Sequence, residues 1–187
     1  MNIILFGPPG AGKGTQSRHL LKKLNSFQIS TGDMLRNEIK KDTDVGKKII
    51  DDMKSGKFVN DEIINRLIQN VIFDPEKKDK LIFDGYPRSL SQAKNLDLLL
   101  NKSKQKIDFI FFLNVNKDTI IKRLEKRKIL EKRSDDDSDT ILKRYDTYME
   151  TTKPVLNFYS KKPNFYEIDG TLEINEITAK IDTFLNV

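Results

Sequence analysis

The 187-residue chain is 37% hydrophobic and 33% charged, the balance of a globular domain with a highly charged surface and not that of a disordered segment. It contains no cysteine, which rules out disulfides, thiol catalysis and cysteine-based zinc sites. Lys and Arg number 34 against 28 Asp and Glu, a net charge of +6 that favours anionic partners: nucleotides, nucleic acid or phospholipid.

The length suits a single domain. The first element is Ile3-Ile4-Leu5-Phe6, a continuous apolar run of the kind that forms a strand covered on both faces of a parallel sheet. It is too short for a signal-peptide core or a membrane span and has no basic flank, so the expected location is cytoplasmic, away from membranes. Gly7-Pro8-Pro9-Gly10-Ala11-Gly12-Lys13-Gly14-Thr15 follows, and then helical spacing from Lys13 to Leu24. Strand, Gly-x-x-x-x-Gly-Lys, helix is the order of a phosphate-binding loop, in which backbone N–H groups and a helix start surround an anion. Glycines let the chain approach phosphate oxygens closely, and Lys13 adds a point charge for the outer phosphates. The strict pattern has Ser or Thr directly after the lysine; here Gly14 intervenes, which makes Thr15 a hydroxyl donor to phosphate and leaves its magnesium role open. His19, the only histidine, falls inside the helix and reads as a surface or packing residue.

Further strands are predicted at Phe27 to Ser30, Leu81 to Asp84, Ile107 to Val115 and Phe165 to Ile168, and further helices at Leu90 to Leu100, Lys117 to Lys126 and Ile141 to Tyr159. The Lys-rich stretch from Pro75 to Lys80 reads as a solvated loop. Strands alternating with helices predict a doubly wound α/β domain with a mostly parallel sheet and a ligand crevice at the carboxyl ends of the strands. Polar clusters stand at those ends: Gly7, then Ser30-Thr31-Gly32-Asp33, then Asp84-Gly85-Tyr86-Pro87-Arg88. Thr31 also suits an N-cap ahead of Met34-Leu35, and Asp84 an Asx turn with Gly85.

GPPGAGKGTQ at the start, STGDMLR at 30–36, DGYPRSLSQ at 84–92, RLEKR at 123–127, RSDDD at 133–137 with Arg144 beyond it, and IDGT at 168–171 occur in that order. Across essentially its whole length the chain resembles the adenylate kinases, of the short-lid type. The resemblance implies a P-loop NTPase-type three-layer fold: a central, mostly parallel five-stranded sheet flanked by helices, with a mobile monophosphate-binding segment at 30–59, a short lid at 123–137, and a core at 1–29, 60–122 and 138–187. It implies transfer of the terminal phosphoryl group of ATP to AMP, giving two ADP, by a monomer that needs Mg2+, no structural zinc and no nucleic acid. On the ATP side it points to Gly10, Ala11, Gly12, Lys13, Gly14, Thr15, Arg123, Arg127 and Leu172. On the AMP side it points to Thr31, Arg36, Met53, Lys57, Phe58, Val59, Gly85, Arg88, Gln92, Arg133 and Arg144, with Arg88 as a fork on the α-phosphate and Gln92 on the adenine edge. The residues at the reacting centre would be Lys13, Asp84, Arg88, Arg123, Arg133 and Arg144, and Asp84 and Asp33 would orient magnesium through waters.

Similar kinases for UMP and CMP tend to carry alanine and asparagine where this chain has Thr31 and Gln92, which favours AMP as acceptor. A basic nucleic-acid-binding module is the rival from another class; the chain has no recognisable DNA- or RNA-reading element, and its lysines are scattered along the chain. Asp135 and Asp136 would pair with some of the lid arginines in the closed form, or Asp135 to Asp139 would cap the following helix.

Overall fold

The structure is a computed structural model that describes residues 1–55, 59–131 and 138–186, the side chains of 129–131 and 138–139 excepted. Among the described residues five strands form one parallel sheet in the order β2-β3-β1-β4-β5: β1 Ile3–Phe6, β2 Phe27–Ser30, β3 Leu81–Asp84, β4 Phe109–Asn114 and β5 Phe165–Asp169. All four residues of β1 are buried, as expected of a central strand with helices on both faces. Side chains alternate across it. Ile4 and Phe6 join one core with Ile29, Phe83, Leu96 and Val155, while Ile3 and Leu5 join the other with Ile82, Phe111, Leu20 and Ile181. Register sets the carboxyl ends side by side, with Ser30 opposite Asp84 and Leu5 opposite both Asp84 and Phe111.

The helices are α1 Lys13–Leu24, α2 Thr31–Lys40, α3 Asp44–Lys54, α4 Asp61–Ile72, α5 Leu90–Lys102, α6 Lys117–Glu131, α7 Ser138–Thr147, α8 Lys153–Tyr159 and α9 Ile174–Leu185. Four of them begin in the ordinary way, with Ser30, Thr43, Asn60 and Ser89 accepting a hydrogen bond from a first-turn N–H of α2, α3, α4 and α5. The cap of α2 is thus Ser30, in extended backbone conformation, and Thr31 is the first helical residue. The single helix expected from Ile141 to Tyr159 is instead α7, a π-helical turn at Tyr148–Thr152, and α8. The widened turn lies just ahead of Pro154, which has no N–H to continue the regular ladder. The expected strand at 107–115 is shorter at both ends, spanning Phe109–Asn114; at its start Asp108 accepts from the Asn2 N–H at 2.8 Å and donates its own N–H to the Asn2 carbonyl. Within the stretch expected as a loop, Pro75–Lys77 forms a 3-10 turn started by the Asp74 carboxylate. No described helix is long and apolar enough to cross a membrane.

Candidate functional site

Two cavities open at the carboxyl edge of the sheet. The first is floored by the turn between β1 and α1. Gly10 and Gly12 have φ of 81° and 93°, which L side chains rarely adopt, and a Cβ on Gly10 would stand 2.9 Å from Leu124. Gly12 is the N-cap of α1 and brings no side chain to its first N–H groups; the first turn also holds no acidic residue. Those amides and the positive end of the helix therefore face the cavity, an arrangement that attracts an anion. Asp84 lines the same cavity, with Oδ2 accepting from Gln28 Nε2 at 3.0 Å. Arg123, Arg127 and Leu172 form its far wall; Arg123 donates to the carbonyls of Gly170 at 2.7 Å and Leu172 at 3.5 Å, which ties α6 to the turn after β5.

The second cavity is a largely apolar slot between α2, α3 and the start of α5, lined by Leu35, Met53, Val59 and Ile64. Thr31, Gln92 and Arg88 are among the polar side chains that line it. Thr31 Oγ1 donates to the Gly85 carbonyl at 3.0 Å, Gln92 is buried with both ends of its carboxamide hydrogen-bonded, and Arg88 donates from Nε to the Gly85 carbonyl at 2.7 Å. The backbone of Arg88 is gripped from two sides: its N–H donates to Gln92 Oε1 at 2.7 Å, and its carbonyl accepts from Thr152 Oγ1 at 3.0 Å.

Lys13, Arg36, Arg88 and Arg144 line both cavities and so stand at their junction. Lys13 Nζ donates to the carbonyls of Gly7 at 2.8 Å and Pro8 at 3.0 Å. Burial lowers its pKa to about 8, with Arg88, Arg144 and Arg127 pressing the same way against the opposing pull of Asp84. Cations brought this close repel one another, and a polyphosphate between them would relieve that. Arg36 is paired with Asp33, Nη2 to Oδ1 at 2.6 Å, so the Asp33 carboxylate is engaged within α2.

Every expected site residue among the described ones lines one cavity or both; Lys57, Phe58 and Arg133, like Asp135 to Asp137, lie outside the described residues. His19 is elsewhere, on Asp182 of α9 at 3.0 Å, a packing contact and not a site residue. Gln28, Tyr148 and Thr152 also line the cavities and were not among the residues expected from the sequence. Gln28 had a local signal, a polar residue inside an apolar strand. Thr152 and Tyr148 had none: both are buried, and the Tyr148 hydroxyl has no hydrogen-bond partner among the described residues.

Comparison with known proteins gives this geometry a lineage. The family model described as adenylate kinase matches residues 5–164. A protein of Pelagibacter ubique named adenylate kinase is 48% identical, with the whole of both chains covered. One of Nocardioides with the same name is 37% identical over all of this chain and 98% of its own, and one of Mycoplasma capricolum is 40% identical over 90% and 91%. With the match running from within β1 to the residue before β5, and with relatives this similar over nine-tenths or more of their length, the chain belongs to the adenylate kinase family.

Proposed function

We propose that this chain transfers the terminal phosphoryl group of ATP to AMP, reversibly, giving two ADP, and that the two cavities are the donor and acceptor sites. The observation that carries the reading is the junction: four cationic side chains are common to a cleft floored by bare helix N–H groups and to an apolar slot with a fixed amide at its wall. Phosphoryl transfer needs little covalent help from a protein; it needs two nucleotides in line and the charge on the moving group neutralised. An oxygen of the AMP phosphate attacks the terminal phosphorus of ATP as the bond to the bridging oxygen breaks, and ADP leaves.

In this reading the amides of Gly10 to Thr15 hold the triphosphate. Lys13 gives up the carbonyls of Gly7 and Pro8 for the outer phosphate oxygens. Arg88 grips the acceptor phosphate as a planar fork, a geometry lysine cannot copy, and Arg144 with the lid arginines Arg123, Arg127 and Arg133 gathers around the moving group. Thr31, Met53, Val59 and Gln92 receive the acceptor base, together with Lys57 and Phe58 from the same segment. The segments at 30–59 and 123–137 close over the two nucleotides, because water is a competing acceptor and has to be kept out. The enzyme works as a monomer.

The residues present fit magnesium. Asp84 offers hard oxygen donors beside Lys13 and the loop, with Asp33 on the same rim, and no group of three or more His, Asp or Glu among the described residues would form an all-protein cage. That suits an ion held mostly by phosphate and water. When bound it supplies neutralising charge to the phosphate oxygens.

A coupled assay with ATP and magnesium against AMP, UMP, CMP and GMP tests the assignment. AMP is expected to be the fastest acceptor. Faster turnover of UMP or CMP, or no ADP at all, would overturn it.

A further inference from the structure

We propose that Asp61 holds the Gln92 carboxamide in a single orientation and thereby sets the acceptor slot's preference for a 6-amino over a 6-oxo purine monophosphate. The inference rests on the reading of the slot as the acceptor-base site. Gln92 is only 3% exposed, and its side chain bonds two partners of opposite character. Oε1 accepts from the Arg88 N–H at 2.7 Å, and Nε2 donates to Asp61 Oδ1 at 2.6 Å. A backbone N–H can only donate and a carboxylate can only accept, so turning the amide over would set donor against donor at one end and acceptor against acceptor at the other.

Asp61 is fixed in its turn. Its Oδ2 accepts from the Ser89 hydroxyl at 3.0 Å, and the same Ser89 oxygen accepts from the Gln92 N–H at 3.1 Å, closing a ring through Asp61, Ser89 and Gln92. One Nε2 hydrogen and one Oε1 lone pair of Gln92 are then left for a ligand, in a fixed order. A 6-aminopurine presents an amino donor at position 6 and an acceptor at N1; a 6-oxopurine presents the inverse. A locked amide pairs with the first and opposes the second, whereas a free amide turns to suit either.

Asp61 also opens α4, where an acidic side chain favours the positive end of the helix. That structural service would weigh equally on every acceptor, and discrimination between bases separates the two roles. Wild type, Asp61→Leu and Asp61→Ser are to be assayed with ATP against AMP, IMP and GMP, with thermal unfolding followed alongside. In the variants the KM for AMP is expected to rise about 10-fold and the kcat/KM ratio of AMP over IMP to fall about 10-fold or more, with the KM for ATP shifting less than about twofold. An unchanged ratio in a folded variant overturns the inference. Wild type that makes no ADP from ATP and AMP would instead overturn the reading of the slot beneath it. If neither variant folds, nuclear magnetic resonance of the wild type decides: one Gln92 side-chain amide proton, that facing the carboxylate, is expected to exchange slowly, and two equally fast protons would overturn the lock.

Discussion

Helix α1 begins at a left-handed glycine with no side-chain cap, whereas α5, which carries Gln92, begins at Ser89 with the hydroxyl accepting from the Gln92 N–H at 3.1 Å. The two helix starts flank one junction and are built in opposite ways. On the proposed donor side the helix start has no side-chain cap and no acidic residue in its first turn, so backbone amides and the Lys13 ammonium make up the floor. On the proposed acceptor side the surface is largely side chain, and several of its polar groups are held by others: Gln92 by Asp61 and the Arg88 N–H, the Arg88 carbonyl by Thr152, Thr31 by the Gly85 carbonyl. A phosphate tail is the same in every nucleoside triphosphate and can be met by amides alone, while a base has to be told from its neighbours and needs donors and acceptors in a fixed order.

The contrast breaks most sharply at the lysine that both sides share. Lys13→Met keeps most of the side chain's bulk but removes the ammonium, and kcat/KM is expected to fall about 1,000-fold, on the scale of losing a charge-stabilising donor at the reacting group. An undiminished rate of ADP formation would remove Lys13 from the reaction. On the donor side, adding atoms should do the harm. Gly10→Ala places a Cβ 2.9 Å from Leu124 at a φ of 81°, and the expected outcome is a loss of about 1–2 kcal/mol of stability in denaturant titrations, with the KM for ATP raised about 10-fold. On the acceptor side, removing atoms should do it. Thr152→Val keeps the shape and deletes the hydroxyl on the Arg88 carbonyl, a hydrogen bond worth about 1 kcal/mol, and a rise of about fivefold in the KM for AMP alone is expected from initial rates. Equal effects on both substrates would mean that Thr152 supports the fold and not Arg88.

The same contrast decides what could be read before the fold was known. The loop that floors the proposed donor side is written in consecutive residues: an apolar run, glycines at set spacing, a lysine, a helix. The sheet's strands were legible for the same reason, since burial on both faces leaves runs such as Ile3 to Phe6 without a polar interruption. The acceptor side depends on pairs far apart in the chain. Asp61 meets Gln92 across 31 positions, and Arg88 meets Thr152 across 64. With 28 acidic residues in the chain, nothing local to Asp61 marks it out, and only the placement of α4 beside α5 selects it. The π-helical turn escaped for a related reason: apolar spacing runs on from α7 into α8, and the effect of Pro154 falls on the turn before it. Ser30 and Thr31 are both suitable caps, and only the extended backbone at Ser30 settles which one serves.

The smallest expected effect concerns a proton. Burial and three neighbouring guanidinium groups hold Lys13 at a pKa of about 8, below its ordinary value of 10.5, so the free protein binds this proton more weakly than the unfolded chain does. The unfolded state therefore holds more protons between those two values, and the contribution of this group to stability rises with pH from about 8 to 10.5. A triphosphate beside the ammonium acts the other way, since an anion within about 4–6 Å favours the charged form. Binding of ATP should then take up about half a proton at pH 8, more at pH 9 and close to none at pH 6.5, with affinity falling as pH climbs through 8. Above about pH 7.5 the phosphates are already ionised, so the uptake there belongs to the protein. Calorimetric titrations in buffers of different ionisation enthalpy measure it directly. Uptake that persists in Lys13→Met would assign the proton to another group and leave the lysine charged throughout.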